Sequence, residues 1–331
     1  MSGAGAAGVA AAGEVYFAAL RDADEDAAVG AALGLLAGGL SVPQVLASLV
    51  VPAQRRVGAC WEGGRWDVAR EHAATHISDR VVAALGARLP EVPRRGRVVL
   101  ACVDGEWHAL AARIVGETLR AGGWRVTFLG ASTPAARLGE YVREVGPDAV
   151  ALSCSVAAWL PTARTMVRAA RGVAVPVLAG GPGFGPDGRW ARALGANAWA
   201  RDAAHAVELL GGGWPHYAEP APPLAVPDDE FERFGARRAL LAERLRGALC
   251  GEGPAALGEG FGRLPGFLAA ALLVDDEEVL VAQVRWLAGM LAARGVEPRA
   301  VGAALARAAG LLEGFPRARR MLAAARADVG G

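Results

Sequence analysis

The chain has 331 residues, 35 basic against 34 acidic side chains, a net charge of +1 and 53% hydrophobic residues. Every basic residue is arginine, so a Schiff base to pyridoxal phosphate or retinal and a Walker A lysine for nucleotide phosphates are excluded. The near-zero charge gives no whole-chain attraction to nucleic acid or an anionic membrane.

Taken in chain order, the first thirteen residues are small and lack a basic region, so they do not read as a signal peptide. Residues 27–54 are uncharged and long enough to suggest a membrane span. Gly38-Gly39 interrupt them, and Ser41-Val42-Pro43 has the pattern of a helix start, so two buried helices are expected instead. Apolar residues at helical spacing mark 15–21, 24–37, 42–58 and 66–89, which predicts a four-helix bundle over residues 14–90.

The pattern then changes. Short apolar runs at 98–103, 125–129, 149–153, 175–179 and 198–200 alternate with helical segments ending near residues 121, 145, 170 and 210. That alternation predicts parallel βαβ units over 96–212, a Rossmann-like domain with ligands outside the carboxyl ends of the strands. A proline-rich linker is expected over 213–228 and an all-helical, globin-like domain over 229–331, so three domains fit the length. The fold class is therefore mixed α and α/β.

Three groups of residues fall at predicted strand ends: Glu106-Trp107-His108, Ser153-Cys154-Ser155 and Gly180-Gly181. A histidine on such a loop can ligate a metal through one nitrogen while a carboxylate orients it through the other. Small serines leave room for a ligand and offer hydroxyls, and paired glycines admit close approach of the backbone. Ser155 can equally be a helix N-cap, and the glycine pair a tight turn. The four cysteines (Cys60, Cys102, Cys154, Cys250) contain no CxxC pair, so neither a zinc site nor a disulfide scaffold is indicated, and a reduced, cytoplasmic protein is expected.

Glu106, His108, Ser153, Gly180 and Gly181 together resemble the cobalamin-binding domain of the methionine synthase and mutase type. The resemblance implies His108 as the lower ligand of cobalt. Ser155 replaces a larger residue of that family, and Ala111 replaces a glycine. In the bundle, Trp61, nine intervening residues and Glu71-His72 resemble the W-x9-EH signature of CarH-type cobalamin photoreceptors. That implies Trp61 as a cap over the upper corrin face and Glu71 and His72 as upper-face contacts sheltering a 5′-deoxyadenosyl group. Glu62 stands where a histidine follows the tryptophan in well-known members, so a stable bis-histidine light product through that position is not expected, and His76 is a remote substitute.

Residues 230–331 contain no histidine, which excludes a haem ligated by histidine from within that region. The order of bundle, cobalamin domain and helical domain is similar to that of the photocobilins, in which a biliverdin-binding domain follows the cobalamin module. On that resemblance Phe231, Phe234, Phe261, Phe267, Trp286 and Phe315 line a pocket or form the core. Arginines such as Arg237, Arg263, Arg294 and Arg317 pair with propionates or face solvent. Cys250 offers a covalent bilin link or simple packing, and Asp275 and Asp276 accept pyrrole N–H bonds or cap a helix.

The function expected is a light sensor, not an enzyme, binding adenosylcobalamin and biliverdin, with photolysis of the Co–C bond driving a conformational or oligomeric change. The rivals are a corrinoid carrier for methyl transfer and a cobalamin-dependent antirepressor acting on a DNA-binding partner. A homo-oligomer, an unknown output protein, no membrane contact and no direct DNA binding complete the expectation, the last because about a dozen residues precede the bundle.

Overall fold

A computed structural model describes residues 3–91, 95–212, 228–250 and 261–330. The bundle opens with α1 (Gly3–Asp22) and α2 (Glu25–Ala37). Helix α1 begins well before the periodic segment because its first residues are alanine-rich, and alanine is the strongest helix former. Asp24 caps α2 through the Ala27 amide, and the Gln44 carboxamide reaches back to the Ser41 amide to start the next helix.

That helix runs as α3 (Val42–Val45), a π-helical turn (Leu46–Val50) and α4 (Val51–Glu62). The wider turn has a local cause: Pro52 has no N–H to give the Ser48 carbonyl, and its ring would collide with that carbonyl in a regular α-helix. Asp67 then caps α5 (Val68–Gly86) through the Arg70 amide at 2.8 Å. The uncharged stretch 27–54 is thus split between helices, and among the described residues no helix is long and apolar enough to cross a membrane.

The α/β domain contains β1 (Gly96–Cys102), α6 (Ala109–Ala121), β2 (Trp124–Phe128), α7 (Ala135–Val145), β3 (Ala149–Ser153), α8 (Leu160–Arg171), β4 (Val177–Gly180), α9 (Arg189–Ala193), β5 (Ala198–Ala200) and α10 (Ala203–Gly211). The sheet is parallel throughout, in the order β2-β1-β3-β4-β5. From β1 the chain moves first to one side of the sheet and then to the other, so the crevice between the ends of β1 and β3 is the switch point where such sheets take ligands. One sheet face is covered by α6 and α10, and the bundle docks on α6 through Ile114 and Leu110.

The last region comprises α11 (Asp229–Cys250), α12 (Leu264–Val274), α13 (Glu278–Ala292), α14 (Pro298–Gly310) and α15 (Pro316–Gly330). Its apolar core is continuous with the other sheet face. Gly266 on α12 lies so close to the loop after β3 that a Cβ there would sit 3.0 Å from the Ala158 Cβ. The Trp190 indole donates to Asp276 at 2.8 Å, and Arg189 pairs with the same carboxylate. Phe234, Phe261, Phe267 and Phe315 are buried in this core, with Phe234 and Phe315 meeting edge to face at 5.4 Å. These four therefore belong to the core that holds the domain together.

Candidate functional site

The loop after β1 is built around a buried carboxylate. Val103 donates to the Ser153 carbonyl at 3.0 Å, which ties the loop to β3. Gly105 follows at φ +91°, and a Cβ there would meet the Trp159 ring at 2.8 Å, so only glycine passes. The Glu106 side chain is fully buried. Its Oε1 accepts from the His108 amide at 3.0 Å and lies 2.5 Å from His108 Nδ1. Its Oε2 accepts from the amides of Ser155 at 2.6 Å and Val156 at 3.1 Å. One carboxylate thus fixes the loops after β1 and β3 together, with every contact a donor to it.

Burial alone would raise the Glu106 carboxyl, but the hydrogen bonds from the His108 ring and amide and from Ser155 outweigh it and hold it below its ordinary value. His108 is raised, first by its hydrogen bond to Glu106 and against the opposing effect of burial. With Glu106 ionised, the neutral imidazole keeps its proton on Nδ1, and Nε2 presents a lone pair. The ring is 61% exposed and sits at the start of α6, and the Trp107 indole beside it is also exposed.

Ser153 ends β3, in register with Cys102 on one side and Gly180 on the other. Ser155 does not cap a helix: the short turn after β3 starts from Val156, and what the site uses of Ser155 is its amide. Gly181 adopts φ +102°, and a Cβ there would lie 2.4 Å from the Cys154 carbonyl oxygen, whereas at Gly180 a Cβ would make only ordinary contact. The strict requirement at 181 therefore comes from the neighbouring protein backbone. Cys102 and Cys154 are packing residues whose thiols burial pushes upward, Cys102 to about 12.

In the bundle, Glu71 and His72 occupy the first turns of α5, with His72 Nδ1 2.7 Å from Glu71 Oε2. Thr75 donates to Glu71 Oε1 at 2.8 Å and stands 3.2 Å from Gln54 Oε1. Gln54 Nε2 donates to Ser78 at 2.6 Å, and Tyr16 donates to Ser78 at 2.9 Å. This polar chain runs from the bundle core to the Glu71 carboxylate. Helix α5 packs along α6 in the same direction, with Asp79 pairing with Arg113 and Gly86 meeting Glu117, so the start of α5 with Glu71 lies toward the start of α6 with His108. Trp61 closes α4, half-buried, beside Trp286 and Arg294 of the third domain.

The structure thus gathers Glu106, His108, Ser153, Ser155, Gly180 and Gly181 at the ends of β1, β3 and β4, and sets Trp61, Glu71 and His72 at one end of the bundle. Spacing gave no signal for Tyr16, Gln54, Thr75 or Ser78, which come from three different helices, and Arg263, Trp286 and Arg294 were expected only at a bilin. His76 is exposed one turn beyond His72. Of the residues considered for a bilin, Asp275 pairs with Arg317, Asp276 holds Trp190 and caps α13 through the Glu278 amide, and Trp286 faces Trp61. The Cys250 side chain lies outside the described residues.

The donor set fits one kind of group. Among the described residues no three His, Cys, Asp or Glu side chains converge on a metal position. A single oriented imidazole suits a metal that brings its equatorial ligands with it.

Comparison with known proteins agrees. Residues 96–210 match the family model of the B12 binding domain, and residues 13–85 match a second model, also a B12 binding domain. The HTH-type transcriptional repressor CarA of Myxococcus xanthus is 43% identical over 91 residues, 28% of this chain and 32% of the repressor, so the chain spans about a third of that relative. A corrinoid protein of Desulfitobacterium hafniense is 26% identical over 201 residues, 58% of this chain and 92% of its own length. The monomethylamine corrinoid protein of Methanosarcina barkeri superposes with a TM-score of 0.53 at 16% identity, covering 59% of this chain and 94% of that protein, which shows the fold. Residues 13–210 therefore carry a cobalamin-binding module, its helical half preceding its Rossmann-like half.

Proposed function

We propose that this protein is a light sensor that holds adenosylcobalamin between the bundle and the α/β domain, with His108 beneath the cobalt and Trp61 above it. The observation that carries this reading is the facing of two motifs. Trp61, Glu71 and His72 share one end of the bundle, and the packing of α5 along α6 sets that end toward His108. The identity shared with the CarA and CarH repressors supports a regulatory role.

Bound adenosylcobalamin would supply a Co–C bond that visible light cleaves. The rest is the work of side chains. Glu106 retains the Nδ1 proton of His108 and aims Nε2 outward from the sheet. Ser153, Ser155, Gly180 and Gly181 shape the crevice for a buried tail. Trp61 excludes water from the upper side, and Glu71, steadied by Thr75 and His72, offers a fixed acceptor there.

Biliverdin in the third domain is part of the proposal, supported by that domain's helical composition and its place after the cobalamin module. With the four core phenylalanines committed to packing, one candidate seat among the described residues is an open groove of about 590 Å³ between α14 and α15, lined by Leu305, Ala309, Leu322 and Arg326 among others.

A corrinoid carrier is the second reading, favoured by the alignment over 92% of the D. hafniense corrinoid protein. An antirepressor acting on a DNA-binding partner is a third, which shares the same site. The deciding experiment is absorption spectroscopy of protein co-expressed with cobalamin and biliverdin supply, before and after visible illumination. A corrin spectrum that changes in light, with a red or far-red band beside it, is the expected result. A dark spectrum unmoved by light, with methyl transfer to an added methyltransferase, would make the protein a carrier.

A further inference from the structure

The end of α4 is held from outside its own bundle. Arg294, just past α13, donates to the Trp61 carbonyl at 2.7 Å and to the Glu62 carbonyl at 3.0 Å, and its guanidinium lies 5.6 Å from the Trp61 ring centre. Trp286 on α13 donates from its indole nitrogen to Glu62 Oε1 at 2.8 Å, and its ring stands 6.0 Å from that of Trp61. Gly64, at φ +69°, lets the two segments close up: a Cβ there would lie 3.3 Å from the Ala293 carbonyl oxygen.

The physical need is plain. The last carbonyls of a helix lack partners within it, and a cation at that end is favourable. Helix α4 has no basic residue in its last turn. Besides Arg65, which reaches the Ala59 carbonyl at 3.5 Å, it takes a cation from a residue more than two hundred positions later, together with a tryptophan that takes up the Glu62 carboxylate. The contacts are solvent-accessible, with Trp286 39% exposed. Exposed contacts of this kind add little to the stability of a fold, so removing them is expected to leave the protein folded.

We propose that Glu62, Trp286 and Arg294 are positioning residues of the cobalamin site: the third domain sets where the Trp61 indole stands and thereby which upper ligand fits beneath it. This rests on reading Trp61 as the cap. It gives Glu62 a role of its own, as the handle by which the third domain grips the cap.

The test is a spectral titration of the full-length protein with adenosylcobalamin and with methylcobalamin. Wild-type protein is expected to favour the adenosyl form. Arg294→Ala and Trp286→Ala are expected to shift the ratio of the two dissociation constants by about fivefold or more. Trp286→Phe, which keeps the ring and loses the N–H, falls between, and Glu62→Gln, which keeps an acceptor oxygen, retains the wild-type ratio. In the cofactor-free protein, Arg294→Ala is expected to speed hydrogen exchange at the amides of residues 61–64. An unchanged ratio across Trp286→Phe, Trp286→Ala and Arg294→Ala, or equal losses for both cobalamins, overturns the proposal, since a merely structural role would weaken both alike. Wild-type protein that binds neither cobalamin refutes the site reading itself, and this inference with it.

Discussion

Glu106 Oε1 lies 2.5 Å from Nδ1 of His108 while the other oxygen of the same carboxylate holds the amides of Ser155 and Val156. The residue that orients the imidazole is therefore also the one that joins the loops on either side of the crevice. Replacing it disturbs both. Glu106→Gln keeps the shape but offers an N–H to donors that need an acceptor, so a loss of cobalamin affinity of roughly 10–100-fold is expected, the usual effect of removing a group that orients a metal ligand. Glu106→Ala leaves three partly buried amides without their acceptor, at about 1 kcal/mol each. Spectral titration and urea unfolding measure the two effects.

The same pair fixes a pH dependence in the cofactor-free protein. His108 is raised above its ordinary value of 6.5, so its share of stability is complete below that value and is lost as pH rises through the folded value. Glu106 is lowered from 4.5, so its share is complete above that value and is lost as pH falls through the folded value. The pair's contribution is thus greatest between about pH 4.5 and 6.5. The stability difference between wild type and His108→Gln, followed by urea unfolding, is expected to shrink as pH rises above that window.

Gly181→Ala tests the close approach of β4 to the loop after β3. The substitution combines φ +102° with a Cβ 2.4 Å from the Cys154 carbonyl oxygen, which only a backbone shift relieves. A destabilisation of about 3 kcal/mol or more is expected. Gly180→Ala, with only ordinary contact, is expected to change thermal stability by less than half as much.

Tyr16 anchors the far end of the polar chain that leads to Glu71. Tyr16→Phe is expected to destabilise the protein by about 1 kcal/mol, the usual net worth of a buried hydrogen bond, and to loosen Ser78 and Gln54. Burial, partly offset by the Ser78 hydrogen bond, pushes Tyr16 up to about 12. Because that value exceeds the ordinary 10, stability is lost as pH rises through this interval. An ultraviolet titration is expected to show one tyrosine ionising last, and Tyr16→Phe to remove that step.

Asp276 joins the third domain to α9 of the α/β domain. It accepts from the Trp190 indole, pairs with Arg189 and caps α13. Asp276→Ala is expected to cost about 1–3 kcal/mol, chiefly by leaving the buried indole N–H unpaired. Limited proteolysis would show the 261–330 region cleaved faster in the variant.

The sequence by itself determined the fold class and the chemistry of the loop after β1. Strands and helices announce themselves through periodicities of two and 3.6 residues, and the alternation of short apolar runs with helices admits a parallel sheet. Glu106 and His108 are two residues apart in one loop, so their pairing is local and survives without any knowledge of the rest of the chain. Gly181 was legible for the same reason, as a glycine directly after a strand.

Other features were decided only by the tertiary structure. Strand order placed β1 beside β3 and so made a crevice of loops fifty residues apart in sequence. The chain from Tyr16 through Ser78, Gln54 and Thr75 to Glu71 crosses three helices, and the grip of Trp286 and Arg294 on α4 spans more than two hundred residues. Four aromatics of the third domain, Phe234, Phe261, Phe267 and Phe315, open to either a pocket or a core from their types alone, became core because its helices pack as a continuation of the sheet face, whereas Trp286 faces Trp61 at the surface. Composition and spacing report what a segment buries; which segment it is buried against depends on contacts whose sequence separation no local rule fixes.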